Sequence, residues 1–216
     1  MSLPYIKTLD KDRLEVYKKL YAFSDKFILA GGTAIMLQIN HRKSYDFDCF
    51  SNVPLNKKLL LKVRQTFGDD INVQVDNSDL FLFITSNGVK IDFVYFPYTP
   101  TTGVIKSKPI SMFALEDLAS NKAYVIGRRA TWRDYVDIFF LIKKFTLDSI
   151  IKNSQKKFKG EFSEKLFLEQ LVYFDDLEIV PIDFLQRTYT SEEIMEDLQT
   201  AVHKYTSLKI SKKLTK

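Results

Sequence analysis

The stretch Phe27-Ile28-Leu29-Ala30-Gly31-Gly32-Thr33, followed after a short interval by Asp46-Phe47-Asp48-Cys49-Phe50, decides how this chain is read. Four apolar residues running into a glycine pair describe a buried strand that ends in a tight turn. Thr33 to Ile39 then reads as a helix, with Thr33 as its cap. The second stretch alternates, which predicts a strand. Period-2 geometry puts the Asp46 and Asp48 carboxylates on one face, roughly 7 Å apart along the strand, and turns Phe47 and Cys49 to the other.

Working outward, Leu9 to Phe23 has the spacing of an amphipathic helix. Lys57 to Phe67 reads as another helix and Ile71 to Val75 as a strand. Leu80–Ser86 and Val89–Phe96 are β-rich runs joined by Asn87-Gly88. That pair predicts a two-residue hairpin turn with positive φ at both central positions. Asp92 lies in the second run and shares a face with Lys90 and Val94. After residues 97–109, rich in proline and threonine, the texture becomes helical. Ala114–Arg128 and Trp132–Lys144 are helices, and more follow from Leu147. The class is therefore α+β. An α/β core over residues 1–100 precedes a helical region over residues 101–216, expected to pack on it.

The chain has 216 residues, 45% of them hydrophobic and 27% charged, which suits a folded globular protein. No apolar run reaches the roughly 20 residues of a membrane span, so no membrane partner is expected. Cys49 is the single cysteine, so no disulfide forms within the chain. With no signal-like N-terminus, a cytoplasmic location is expected. The net charge of +5, with lysines crowded at 143–165 and 204–216, favours a polyanionic partner such as RNA. A solvated lysine-rich surface explains the same pattern.

The candidate chemistry rests on three acids. An Asp-x-Asp pair suits a hard divalent cation, which prefers oxygen ligands. Alone it reads first as two solvated aspartates at a strand end. The Gly31-Gly32-Thr33 turn opens a helix, where backbone N–H groups and the helix dipole favour phosphate. Asp92, in an otherwise apolar strand, needs either a metal or a Lys or Arg partner. Three carboxylates beside such a turn are the parts needed for two-metal phosphoryl transfer.

These segments resemble the AbiEii/AbiGii toxin family of nucleotidyltransferase-like proteins. The likeness runs from Phe27-Ile28-Leu29-Ala30-Gly31-Gly32-Thr33-Ala34 through His41 to Phe50. It continues in Val89-Lys90-Ile91-Asp92-Phe93, Glu116 to Lys122, Arg128 to Ile138, and Tyr173-Phe174-Asp175-Asp176. The resemblance implies a polymerase-β-like nucleotidyltransferase core, a mixed sheet with flanking helices, and a helical C-terminal region. It implies transfer of a nucleotide from an NTP with Mg2+ or Mn2+, to an acceptor that in relatives can be the 3′ end of tRNA. It further implies a toxin paired with a separate antitoxin protein. On this pattern Gly31, Gly32 and Thr33 cradle phosphate, and Arg42 and Ser44 touch it. Asp46, Asp48 and Asp92 bind metal, with Asp92 also the base for the acceptor hydroxyl. Lys122 neutralises triphosphate charge, and Asp134 is the late acid. Asp137 reads as an ion pair with Arg128, Arg129 or Arg133. A non-catalytic binding module, or transfer to a protein acceptor, would use the same fold.

Overall fold

The computed structural model describes residues 4–129 and 131–214, with the side chains of Arg129 and 212–214 outside that description. The chain falls into two compact units, Met1–Ala114 and Leu115–Lys216. Ala130, inside the expected Arg-then-Asp motif, and the end of the lysine-rich tail lie outside the described residues.

The first unit is built on a mixed sheet. Its elements are α1 (Lys11–Lys19, continuing as a 3-10 turn over Leu20–Phe23), β1 (Ile28–Ala30), α2 (Gly31–Ile39), β2 (Phe47–Ser51), α3 (Lys58–Phe67), β3 (Asn72–Asp76), β4 (Leu80–Ile84), β5 (Lys90–Tyr95), β6 (Val104–Ile105) and β7 (Met112–Phe113). The strand order is β3-β4-β5-β2-β1-β7-β6. β2 runs parallel to β5, and β1 parallel to β7, while the other pairs are antiparallel. The last two strands move the change of unit from the expected residue 100 to Ala114, because they extend the sheet beyond β1.

One sheet face makes the core. Phe47, Cys49, Ile91, Phe93, Phe81 and Phe83 are all buried on it. Tyr17 of α1 stacks on Phe47 at 6.0 Å. Phe23 meets Phe93 at 4.7 Å, and Phe67 of α3 meets Phe83 at 5.5 Å. Aromatic pairs at these separations add to the burial itself. Alternation then leaves Asp48, Lys90 and Asp92 half-buried on the opposite face.

Two local expectations change. α2 begins at Gly31, with Ala30 in the N-cap position, so Thr33 sits inside the helix and does not cap it. The β4–β5 turn has three residues: Gly88 N–H donates to Thr85 O at 2.9 Å, and Thr85 N–H to Val89 O at 2.9 Å. Gly88 alone takes positive φ (77°), while Asn87 does not. A type I turn followed by a left-handed glycine explains both.

The second unit is helical: α4 (Leu115–Arg129), α5 (Trp132–Lys144), α6 (Leu147–Phe158), α7 (Glu164–Leu171) and α8 (Ser191–Leu214). Leu118, Ile126, Trp132, Tyr135, Phe139, Ile151, Phe158, Phe167 and Leu198 form its core. Within it Lys157 of α6 meets Asp117 of α4 at 2.7 Å, both side chains fully buried. Burial pulls the Lys157 ammonium down from its ordinary value, and Asp117 only partly offsets this.

Candidate functional site

The parallel register of β2 and β5 builds the site. Asp48 pairs with Asp92, and Phe47 with Ile91. Asp48, Lys90 and Asp92 are half-buried on one face, and Asp46, just ahead of β2, is near enough to act on Lys90. Neighbouring strands lie about 4.8 Å apart and same-face neighbours along a strand roughly 7 Å apart, so every member feels the others.

The glycine turn closes on these residues. Gly31 has φ of +63°, and a Cβ built there would fall 1.8 Å from Asp48 Oδ2. The Asp48 carboxylate therefore rests on bare backbone. A Cβ on Gly32 would lie 2.8 Å from Arg42 Nη2 and 2.9 Å from Ser44 Oγ. The Thr33 hydroxyl meets Ser44 Oγ at 3.0 Å and donates to the Asp46 carbonyl, tying α2 to the lead-in of β2. Arg42 is buried, with Nη1 donating to Lys43 O at 2.9 Å. Arg13 of α1 steadies the same loop from outside, donating to Tyr45 O at 3.0 Å and lying over the Tyr45 ring. Gly31, Gly32, Thr33, Arg42, Ser44, Asp46, Asp48 and Asp92 are thus brought together.

Lys90 is the member that the sequence reading placed on this face without giving it a role. Its Nζ is 2.9 Å from Asp92 Oδ2. Burial pulls its pKa down, but the Asp92 hydrogen bond and the fields of Asp92, Asp46 and Asp48 outweigh that and raise it. The Cys49 thiol, buried on the other face, is pushed well up, first by burial and then by Asp48 and Asp92. Among the described residues no three His, Cys, Asp or Glu side chains are gathered as a ready metal cluster. Asp48 leans on Gly31 and Asp92 on Lys90. The chemistry of the donors, carboxylate oxygens from Asp46, Asp48 and Asp92, fits a hard divalent cation.

Lys122 and Asp134 lie in the second unit. Lys122 Nζ is 2.7 Å from Asp134 Oδ1 and 2.7 Å from Asp137 Oδ2. Asp137, expected to pair with Arg128, Arg129 or Arg133, pairs with Lys122 on α4, a partner that expectation did not name. Asp134 Oδ2 also accepts from the Thr131 N–H and hydroxyl, each at 2.9 Å, which fastens the start of α5. Burial raises the Asp134 pKa, but Lys122 and the Thr131 N–H overcome it and hold it below 3.8. The helical spacing of Asp134 and Asp137 was visible in the sequence, but their shared partner on another helix was not. A groove of about 280 Å³ at the far end of β2, lined by Phe23, Lys26, Val53, Leu59 and Lys62 among others, takes in none of the expected site residues.

Comparison with known proteins agrees with this architecture. A family model described as nucleotidyl transferase AbiEii toxin, type IV toxin–antitoxin system, matches residues 17–211. An uncharacterized protein of Aquifex aeolicus (strain VF5) is 26% identical over 210 residues, covering 90% of each chain. JHP933 from Helicobacter pylori superposes with a TM-score of 0.57 at 20% identity, over 96% of this chain and 98% of that one. MenT4, a nucleotidyltransferase toxin from Mycobacterium tuberculosis, gives a TM-score of 0.58 at 14% identity, over 88% and 82%. The nucleotidyltransferase fold is common to these structures.

Proposed function

From its membership of the AbiEii nucleotidyl transferase toxin family, we propose that this chain is a metal-dependent nucleotidyltransferase that moves a nucleotide from an NTP to the 3′ hydroxyl of an RNA, with tRNA the leading acceptor. One observation carries the reading: the β2–β5 register sets Asp48 beside Asp92, next to a glycine turn where the Asp48 carboxylate takes the space of the missing Gly31 Cβ.

In this reading the Gly31-Gly32-Thr33 turn, Arg42 and Ser44 bind the triphosphate, through backbone N–H groups and the positive end of α2. Asp46, Asp48 and Asp92 would hold Mg2+ or Mn2+, which when bound neutralises phosphate charge and polarises the phosphoryl group. Asp92 takes the proton of the acceptor hydroxyl. The hydroxyl oxygen bonds to the α-phosphorus as the bond to pyrophosphate breaks, and pyrophosphate leaves. Lys122, as triphosphate counter-charge, and Asp134, as late acid, belong to the proposal on the family pattern. So do a separate antitoxin protein as partner and action in the cytoplasm. Among the described residues no helix is long and apolar enough to cross a membrane.

The test is label transfer. Purified protein is incubated with magnesium, total tRNA, cell extract and each α-labelled NTP in turn, beside Asp46→Ala and Asp48→Ala. We expect label in RNA with the wild type, none with either variant, and unchanged cooperative melts for both. Label in a protein band would move the acceptor to protein. No label, together with no NTP binding by calorimetry, would sink the enzymatic reading in favour of a binding module.

A further inference from the structure

We infer that Lys90 is a built-in counter-ion of the acidic site, one that a divalent cation must displace before the site can load. The inference rests on the proposed metal role of Asp46, Asp48 and Asp92.

Two observations support it. First, the parallel register sets Asp48 beside Asp92, and Lys90 lies two residues before Asp92 on the same face of β5. Two carboxylates side by side on a half-buried sheet face repel one another, and a cation beside them offsets that. Second, the ammonium is engaged with the acid that must turn to a metal: Nζ is 2.9 Å from Asp92 Oδ2, while the Lys90 side chain is 36% exposed and that of Asp92 only 14%. A long, partly exposed lysine can swing out to water more readily than the short carboxylate can. With Lys90 on Asp92 and the Gly31 backbone against Asp48, the structure is the lysine-neutralised form of the site.

The consequence is a weak metal site at rest. Loading exchanges one ammonium for one divalent ion, so the free protein gains less from a bare cation than three carboxylates alone would offer. A triphosphate favours the exchange by bringing its own negative charge, which gives the released lysine a second anion to face. Metal and nucleotide then load together, and the empty site resists adventitious cations.

The experiment measures Mn2+ binding to nucleotide-free protein from the loss of the free-ion paramagnetic resonance signal. The proteins are the wild type, Lys90→Met, Lys90→Gln and Lys90→Arg, each checked by a metal-free thermal melt. Removing one positive charge next to the ion at solvent-like screening is expected to tighten binding about tenfold in the two neutral variants. Lys90→Arg, which keeps the charge, is expected to stay at the wild-type affinity. Wild-type-like or weaker binding by the neutral variants would overturn the inference and leave the metal reading standing. Absence of binding by all four proteins would overturn both. Loss of the cooperative melt in both neutral variants would make Lys90 a fastener of the fold and end the proposal.

Discussion

Gly31 is where conformation and chemistry meet most tightly. Its φ of +63° lies in the left-handed region, and its absent Cβ is the space that the Asp48 carboxylate uses. An alanine there has to bear the left-handed strain, about 1–2 kcal/mol, and must also push Asp48 off the backbone. Gly31→Ala is therefore expected to lower stability by at least that amount in a denaturant melt and to abolish label transfer. Gly32 makes the contrast. Its backbone is unstrained, and a new Cβ would meet the ends of two side chains, Arg42 and Ser44, that can shift. Gly32→Ala should keep most of the stability while weakening NTP binding. Equal stability losses in the two variants would count against this division of labour. The sequence made the glycine pair visible, but it could not say which glycine carries the strain, because that depends on a carboxylate 17 residues away.

At the scale of elements, α4 and α5 are joined by a charge cluster in which Lys122 serves two acids, Asp134 and Asp137. The Asp137 side chain is fully buried, so removing the ammonium leaves a costly charge. Lys122→Ala is expected to destabilise the protein by about 3 kcal/mol, and at a temperature where it remains folded to raise the KM for NTP with little change in kcat. Unchanged kinetics would leave Lys122 as a fastener alone. Acid titration gives a second test. The Asp134 pKa is held below 3.8 in the folded protein, by Lys122 and Thr131 against burial. The folded state thus gives up this proton more readily than the unfolded chain. The stabilisation is complete above the ordinary value near 3.8 and is lost as pH falls through the lower folded value. The stability difference between wild type and Asp134→Asn should shrink as melts are taken below about pH 4. A constant difference would show that charge is not what Asp134 contributes. Elements of this kind were legible where periodicity is strong. The alternation of β2 and β5 and the helices α4 and α5 follow from apolar spacing. The two-residue strands β6 and β7 carry no period and exist only by pairing next to β1. The Asn87-Gly88 signal gave the hairpin but missed its loop by one residue, since only Gly88 takes the left-handed position.

At the scale of the whole molecule, the charge is arranged differently from the impression left by the lysine-rich C-terminal half. Residues 1–114 hold 15 Lys and Arg against 11 Asp and Glu, whereas residues 115–216 hold 17 against 16. Many lysines of the second unit are already answered: Lys143 by Asp197, Lys152 by Asp148, Lys157 by Asp117, Lys165 by Glu169, and Lys209 by Glu164. Glu164 also accepts from Tyr205, binding α8 to α7. Five of the twelve lysines in residues 143–165 and 204–216 thus have a carboxylate partner, and with the near balance of 17 against 16 the support that basic crowding lent to an RNA partner shrinks. If RNA is the acceptor, it is held by few phosphate contacts close to the reacting end and not by a long electrostatic track. The expected signature is a shallow salt dependence. For tRNA binding measured by fluorescence anisotropy across roughly 50–300 mM salt, the slope of log affinity against log salt should lie between about −2 and −4. Lys143→Ala and Lys165→Ala should leave it unchanged, because both lysines already have carboxylate partners. A slope near about −8 would mean that many phosphates are neutralised at once, which this balance of charge does not supply.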